Sequence, residues 1–315
     1  MTKDGVRKKE VALVGARGHV GAELVRLLAA HPHLELVWVG SRSHAGQPLD
    51  ALVPGTSLDL VVADSTPEAV AALEVDAVVL ALPNDLSADY LGGIAPEVVV
   101  VDMSADHRFD DTWIYGQPER FRERLRGARR IACPGCYATA AQLAIAPLAE
   151  ELAAPPRIFG VSGYSGAGTT PSPKNDPEAL RDNLMPYALV DHMHERELTR
   201  HLGHPVHFMP HVAPFFRGIV LTIDLELRTP RDRAATAALY AERYADEPLV
   251  RVQDEAPLPR DAAGRHHVTI GGFTTKGSRL VVVATIDNLL KGAATQALQN
   301  LGLALGFPEL SGLDV

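Results

Sequence analysis

Val11-Ala12-Leu13-Val14-Gly15-Ala16-Arg17-Gly18-His19-Val20-Gly21 sets an apolar run, a glycine-spaced turn and the start of a helical pattern end to end. An apolar tetrapeptide followed at once by glycines and then by helical periodicity is the opening of a strand-turn-helix unit. Glycine allows the tight turn and lets the backbone approach an anion, which rests on the helix N-terminus. The spacing is G-x-x-G-x-x-G and not the standard dinucleotide form, so its context carries the reading. That context repeats: a helix from about His19 to Ala30, a strand from Leu34 to Val39, and further apolar strands at Ala77 to Leu82 and Val98 to Asp102. Alternating strand and helix implies a parallel sheet, with a ligand bound where the strand ends collect.

The residues after the second strand bear on which nucleotide binds there. An NAD site calls for Asp or Glu to hold the ribose 2′-hydroxyl; this chain has Gly40-Ser41-Arg42-Ser43. A guanidinium and two hydroxyls suit a 2′-phosphate, so NADP(H) is the expected cofactor. Gly15, Arg17, Gly18, His19, Val20 and Gly21 at the turn, Ser41 and Arg42 beyond it, and Pro83 at the third strand end form the expected contact set in this part of the chain.

Farther along, Ile131-Ala132-Cys133-Pro134-Gly135-Cys136-Tyr137-Ala138-Thr139-Ala140 places a thiol behind a Pro-Gly turn and ahead of an Ala- and Leu-rich helical pattern reaching Leu152. The helix N-terminus favours a thiolate at Cys136, and its amides suit a developing oxyanion. Cys133 closes an apolar strand and reads as a small buried hydrophobe. The spacing also matches a redox Cys-x-x-Cys, ranked second because Pro-Gly separates the first cysteine from the helix. Beyond Pro155-Pro156 the strands lengthen and alternate, most clearly over 218–227 and 279–286, as in a mixed or antiparallel sheet with one covered face. A helical pattern returns from Leu289 to Leu305.

The 315 residues are 46% hydrophobic and carry a formal charge of −9, which discourages nonspecific nucleic-acid binding. No apolar run is long enough to cross a bilayer, and residues 1–9 are basic without a following apolar segment. Two cysteines without metal-ligand spacing fit a reducing cytoplasm and no metal site.

Taken together, these motifs resemble the N-acetyl-gamma-glutamyl-phosphate reductases of arginine biosynthesis. The resemblance runs from about Val11 to about Pro308. It is carried by Val14 to Gly21, Ala81-Leu82-Pro83-Asn84, Ser104-Ala105-Asp106-His107-Arg108, Pro134-Gly135-Cys136-Tyr137-Ala138-Thr139, Ser162-Gly163-Tyr164-Ser165-Gly166-Ala167-Gly168, His192-Met193-His194 and Asp287-Asn288-Leu289-Leu290-Lys291-Gly292-Ala293. The glycine turn alone would also fit the related aspartate-semialdehyde dehydrogenases.

The resemblance implies a Rossmann-type NADP-binding domain over 10–136 after a disordered tail at 1–9. It implies an α+β catalytic and dimerisation domain over 137–287, and a helix over 288–315 that returns to the first domain. It makes Cys136 the nucleophile, His192 its acid/base partner and Glu197 the residue that helps set the histidine. Sequence spacing does not say which of His192 and His194 faces Cys136. Met193 and Arg196 depart from the family pattern, in which His-Arg-His precedes Pro-Glu. Ser165, Gly166 and Asn288 are expected near the cofactor, and Ser162, His194, Arg108 and Arg217 near the substrate, the two arginines as anion clamps.

The implied chemistry is attack of the thiolate on an acyl phosphate, giving a thioester that accepts hydride and releases a semialdehyde. A homodimer or homotetramer is expected, with a small acyl phosphate as partner and neither nucleic acid nor membrane. Two alternatives are a reductase acting on a carrier-protein-linked aminoadipyl phosphate, and a non-catalytic NADP-binding regulator. The first would need a basic surface at the site mouth, which the net charge does not favour. The second would lack Cys136 or the histidine pair, and both are present.

Overall fold

The computed structural model describes residues 7–314, and the chain divides into two units. The first comprises residues up to Pro134 together with Ala293–Asp314; the second is Gly135–Gly292. Cys136, placed at the end of the first domain by sequence, therefore opens the second unit, because the Pro-Gly turn is itself the boundary. The expected tail lies outside the described residues only over 1–6. Lys9 already pairs in the first strand and its ammonium lies 2.7 Å from Asp76.

Six strands build the first unit: β1 (Lys9–Val14), β2 (Leu34–Gly40), β3 (Ala77–Leu80), β4 (Val99–Asp102), β5 (Ile114–Tyr115) and β6 (Arg130–Ala132). All pairings are parallel, in the order β2-β1-β3-β4-β6-β5. The order reverses between β1 and β3, so the crevice at their carboxyl ends is the binding edge of this topology. Both faces are covered. Val11 and Leu13 join one core with the His19–Ala29 and Thr295–Leu305 helices, while Ala12 and Val14 join another with Val78, Leu80 and Val100. Strands buried on both sides read as unbroken apolar runs, which made them legible.

The C-terminal helix begins irregularly. Leu290–Ala294 is a π-helical turn, with the Gly292 amide bonded to Asp287 O at 2.9 Å, and regular helix follows over Thr295–Leu305. Ten of those eleven residues are buried, among them Gln296, Gln299 and Asn300. Asn300 Nδ2 donates to Gly116 O at 3.0 Å, and Cys133 is buried in the same unit.

The second unit holds β7 (Arg157–Gly163), β8 (Met185–Pro186), β9 (His207–Ala213), β10 (Ile219–Glu226), β11 (Val250–Val252), β12 (Val268–Lys276) and β13 (Arg279–Ile286). They form one mixed sheet in the order β11-β12-β13-β10-β7-β9-β8. Ile219, Leu221, Ile223 and Leu225 of β10 point into the core beside the Cys136–Ile145 helix; Val220, Thr222 and Asp224 alternate onto the more exposed face.

The helix expected to run to Leu152 ends at Ile145 and continues as a 3-10 turn, Ala146–Glu151. Pro147 is the cause: it has no N–H for the Leu143 carbonyl and its ring crowds that carbonyl. The orphaned carbonyl accepts instead from the Tyr244 hydroxyl, and Ala144 O from Tyr240, which ties in the Arg233–Arg243 helix.

Burial of two histidines makes stability pH-dependent. His31 accepts amide hydrogens from His33 and Leu34 at Nδ1, and burial, with some opposition from a backbone bond at Ser311, lowers its pKa to about 4. Burial, with Arg251, Arg265 and His266 nearby, brings His267 to about 4 as well. Both folded values lie below the unfolded value, so this contribution is complete above pH ~6.5 and is lost as pH falls toward ~4, at about 1.4 kcal/mol per pH unit for each group. Urea unfolding at pH 7.5, 6 and 5 is expected to show that decline, and a His31→Gln variant a shallower one.

Candidate active site

The glycine turn has the geometry of an anion cradle. Gly15 has a φ of +96°, and a Cβ there would lie 2.2 Å from Ala81 O; one on Gly21 would lie 2.4 Å from Gly15 O. Both positions therefore require glycine, while Gly18 has room. Gly18 precedes the His19–Ala29 helix with no side-chain cap and no acidic residue in the first turn, which leaves the helix end suited to a phosphate. An NADP pyrophosphate fits this cradle.

Arg17 and Arg42 are exposed nearby in the sequence and Ser41 is buried, its amide on Ala63 O at 3.0 Å. The Arg42 guanidinium lies 5.9 Å from the Tyr90 ring centroid. Arg42→Ala is expected to raise KM for NADPH about 10- to 100-fold, the loss of one charge-assisted contact, and to leave KM for NADH unchanged. Initial rates with the two nucleotides check this.

Loops after β3 and β4 are stapled together. Asn84 Oδ1 accepts from the Ala105 amide at 2.9 Å, and Asp106 accepts from the amides of Asp85 and Ser87 and the Ser87 hydroxyl. Those bonds outweigh burial and hold the Asp106 carboxyl below its ordinary pKa. Pro83 is exposed between them. Arg108, expected as an anion clamp, is largely buried: Nε donates to Cys133 O at 2.8 Å and an Nη to Met103 O at 3.1 Å. The structure thus shows it binding the two strand exits together.

In the second unit, Gly135 is the extended residue ahead of the Cys136–Ile145 helix, with no side-chain cap and no acid in its first turn. Its amide donates to Glu197 Oε1 at 2.9 Å, a fully buried carboxylate on the Met193–Leu202 helix. Glu197, expected from the resemblance to help set the histidine, thereby fixes the turn that carries the thiol, a contact the sequence did not indicate. Gly292 comes equally close from the other side: a Cβ there would lie 2.7 Å from Cys136 Cβ. The half-buried thiol sits against the π turn.

His192 precedes and caps its helix, Nδ1 accepting the His194 amide at 3.0 Å. The neutral imidazole therefore carries its hydrogen on Nε2. Burial lowers its pKa, Lys174 adding to the effect and Glu195 and Glu197 opposing it. The two histidine rings are 5.0 Å apart; His194 lies edge-on to Tyr137 at 5.6 Å and His192 to Tyr187 at 5.4 Å. Burial, then the charge of Cys136, pushes the Tyr187 phenol up; burial, then Tyr187 and Cys136, does so for Tyr137. Tyr187 and Lys174 belong to this cluster and were not singled out from sequence. Both lie outside any helical or strand periodicity that would have flagged them.

The remaining expected residues form a second group around Asn288. Its Oδ1 accepts the Gly218 amide at 2.8 Å and its Nδ2 donates to Ser165 Oγ at 2.9 Å. A Cβ on Gly166 would lie 2.9 Å from Ser162 Oγ. Arg217 grips buried Asp287 with two nitrogens, at 2.6 and 3.0 Å, and Asp287 also caps the amides of Leu289 and Leu290. No cluster of metal-ligating side chains occurs among the described residues, and no helix among them is long and apolar enough to cross a membrane.

Residues 10–128 match the family model for the NAD-binding domain of semialdehyde dehydrogenase, and 136–288 the model for its dimerisation domain. Fold and site thus define a dehydrogenase of the semialdehyde type. The fold is shared with aspartate semialdehyde dehydrogenase II of Vibrio cholerae, solved in complex with ASA, at 21% identity over 96% of this chain and 99% of that one, TM-score 0.75. The Candida albicans aspartate semialdehyde dehydrogenase solved with NADP gives 19%, 95% and 98%, TM-score 0.74. Far nearer in sequence are the N-acetyl-gamma-glutamyl-phosphate reductases of Xanthomonas campestris pv. campestris strain B100, 56% identical over 98% of this chain and 99% of the relative, and of Xylella fastidiosa strain M23, 56% over 96% and 94%. The chain belongs to the N-acetyl-gamma-glutamyl-phosphate reductase family. Its cofactor is NADP(H).

Proposed function

We propose that this protein reduces N-acetyl-gamma-glutamyl phosphate to N-acetylglutamate 5-semialdehyde, with Cys136 as nucleophile, in the cytoplasmic biosynthesis of arginine. The observation that carries the reading is the Cys136 thiol at an uncapped helix N-terminus, with its turn anchored on buried Glu197. That placement favours thiolate. The thiolate forms a C–S bond to the acyl carbon, and the C–O bond breaks with its electron pair on the phosphate, which takes up a proton. NADPH, when bound, supplies the hydride that converts the thioester to the aldehyde level. The C–S bond then breaks, and its electron pair returns to sulfur, regenerating the thiolate.

His192 exchanges protons at Nε2, since Nδ1 is engaged by the His194 amide. The first-turn amides of the Cys136 helix hold the oxyanion. Gly15, Arg17, Gly18, His19, Val20 and Gly21 hold the pyrophosphate end of the cofactor, and Ser41 and Arg42 its 2′-phosphate. Ser165, Gly166 and Asn288 shape the loop on the nicotinamide side. Ser162 and His194 border the substrate. Arg217, paired with Asp287, and Arg108, on backbone carbonyls, act by fixing loops around it. A second copy of the chain covers the more exposed sheet face bearing Phe159, Val220 and Thr222.

The test runs the reaction backward, which avoids the unstable acyl phosphate. NADP⁺ reduction is expected with N-acetylglutamate semialdehyde, strictly dependent on inorganic phosphate. Phosphate-dependent turnover of aspartate semialdehyde in its place would overturn the substrate assignment.

A further inference from the structure

Lys174 lies in the loop that follows the glycine-rich stretch, and that loop is braced from within. The Ser172 amide and hydroxyl donate to Asn175 Oδ1 at 2.9 and 3.3 Å, and Asn175 Nδ2 donates to Gly168 O at 2.9 Å and Thr170 O at 2.8 Å. The bracing holds the Lys174 ammonium 4.9 Å from the Tyr187 ring centroid, a cation–π contact. The same ring stands edge-on to His192, and the Tyr187 phenol feels the Cys136 charge. Lys174 acts on His192 electrostatically as well. Among the described residues no carboxylate lies within ion-pair distance of this ammonium. A half-buried cation on the aromatic wall of a thiol-imidazole site, without a counter-ion of its own, is suited to an anion brought by the substrate.

We propose that Lys174 binds the phosphoryl group that leaves the acyl carbon, and is thus a substrate-binding residue of the reaction. The assignment rests on the function proposed above. The substrate carries two anions, a phosphoryl group at the reacting carbon and a carboxylate at the other end of the carbon chain. The phosphoryl group is favoured because it departs from the reacting carbon, and the Tyr187 ring that carries the Lys174 ammonium also stands against His192.

Steady-state kinetics of the reverse reaction separates the two anions. Lys174→Met is expected to raise KM for inorganic phosphate about 10- to 100-fold, the size of one lost charge-assisted contact, with KM for the semialdehyde and NADP⁺ within about threefold. Lys174→Arg should recover most of the phosphate affinity. An increase confined to KM for the semialdehyde would assign Lys174 to the carboxylate and overturn the proposal, as would three unchanged constants. If the native protein proves inactive with this aldehyde, the functional reading fails separately. Protection of Cys136 from iodoacetamide by inorganic phosphate then decides: protection of native protein but not of Lys174→Met supports the site, and equal protection removes it.

Discussion

Cys136→Ser is expected to lower phosphate-dependent NADP⁺ reduction by on the order of 10⁴-fold or more while leaving NADPH binding and the thermal midpoint unchanged. A serine hydroxyl at the same helix terminus keeps the shape of the site, but stays protonated near neutral pH and is a poor leaving group when the aldehyde must be freed. Because the side chain is half-buried and packs at the edge of the second unit's core, the isosteric change leaves packing intact. Rapid mixing of native enzyme with acyl phosphate should give a phosphate burst equal to the enzyme concentration, and the variant none. Residual activity within tenfold of native would rule out the thioester route.

Gly292→Ala is expected to cost about 100-fold in kcat with KM for NADPH little changed. The added methyl would lie 2.7 Å from Cys136 Cβ and 3.0 Å from Asp287 O, neither of which can yield as a flexible side-chain end would. The thiol must shift, and displacement of a reacting atom by a fraction of an ångström to an ångström is costly. Overpacking of this kind destabilises by ~1–3 kcal/mol, so the variant should remain folded. The rate of Cys136 alkylation by iodoacetamide, measured beside kcat, distinguishes a displaced thiol from general loss of structure. Native rates for both would show that Gly292 does not seat the cysteine.

The architecture was readable because its strands are buried on both faces in one unit and alternate in the other. Val11–Val14 and Arg279–Ile286 show the two patterns; the first strand begins two residues earlier than expected, at Lys9, and the second has its expected limits. Helix ends were harder. Pro147 should have stopped the helix after Cys136, but the unbroken Ala and Leu content on either side hid it. The π turn at Leu290–Ala294 has no compositional mark; it arises from Asp287 capping two amides and from glycine against the thiol. At the site, local motifs exposed Cys136, the histidine pair and the glycine turn. Partners distant in sequence did not show: Glu197 on the Gly135 amide, Lys174 on Tyr187, and Arg217 on Asp287 are contacts made by folding.

The second unit leaves and rejoins the chain at neighbouring points, since Gly135 opens it, Gly292 closes it and Gly292 abuts Cys136. It is therefore a guest threaded into a host, entering and leaving through one doorway. The host keeps its own last helix, whose buried face completes its core only after the guest has been synthesised. Completion of the host core is thus tied to synthesis of the whole guest, so a ribosome that stops early releases no finished nucleotide-binding module.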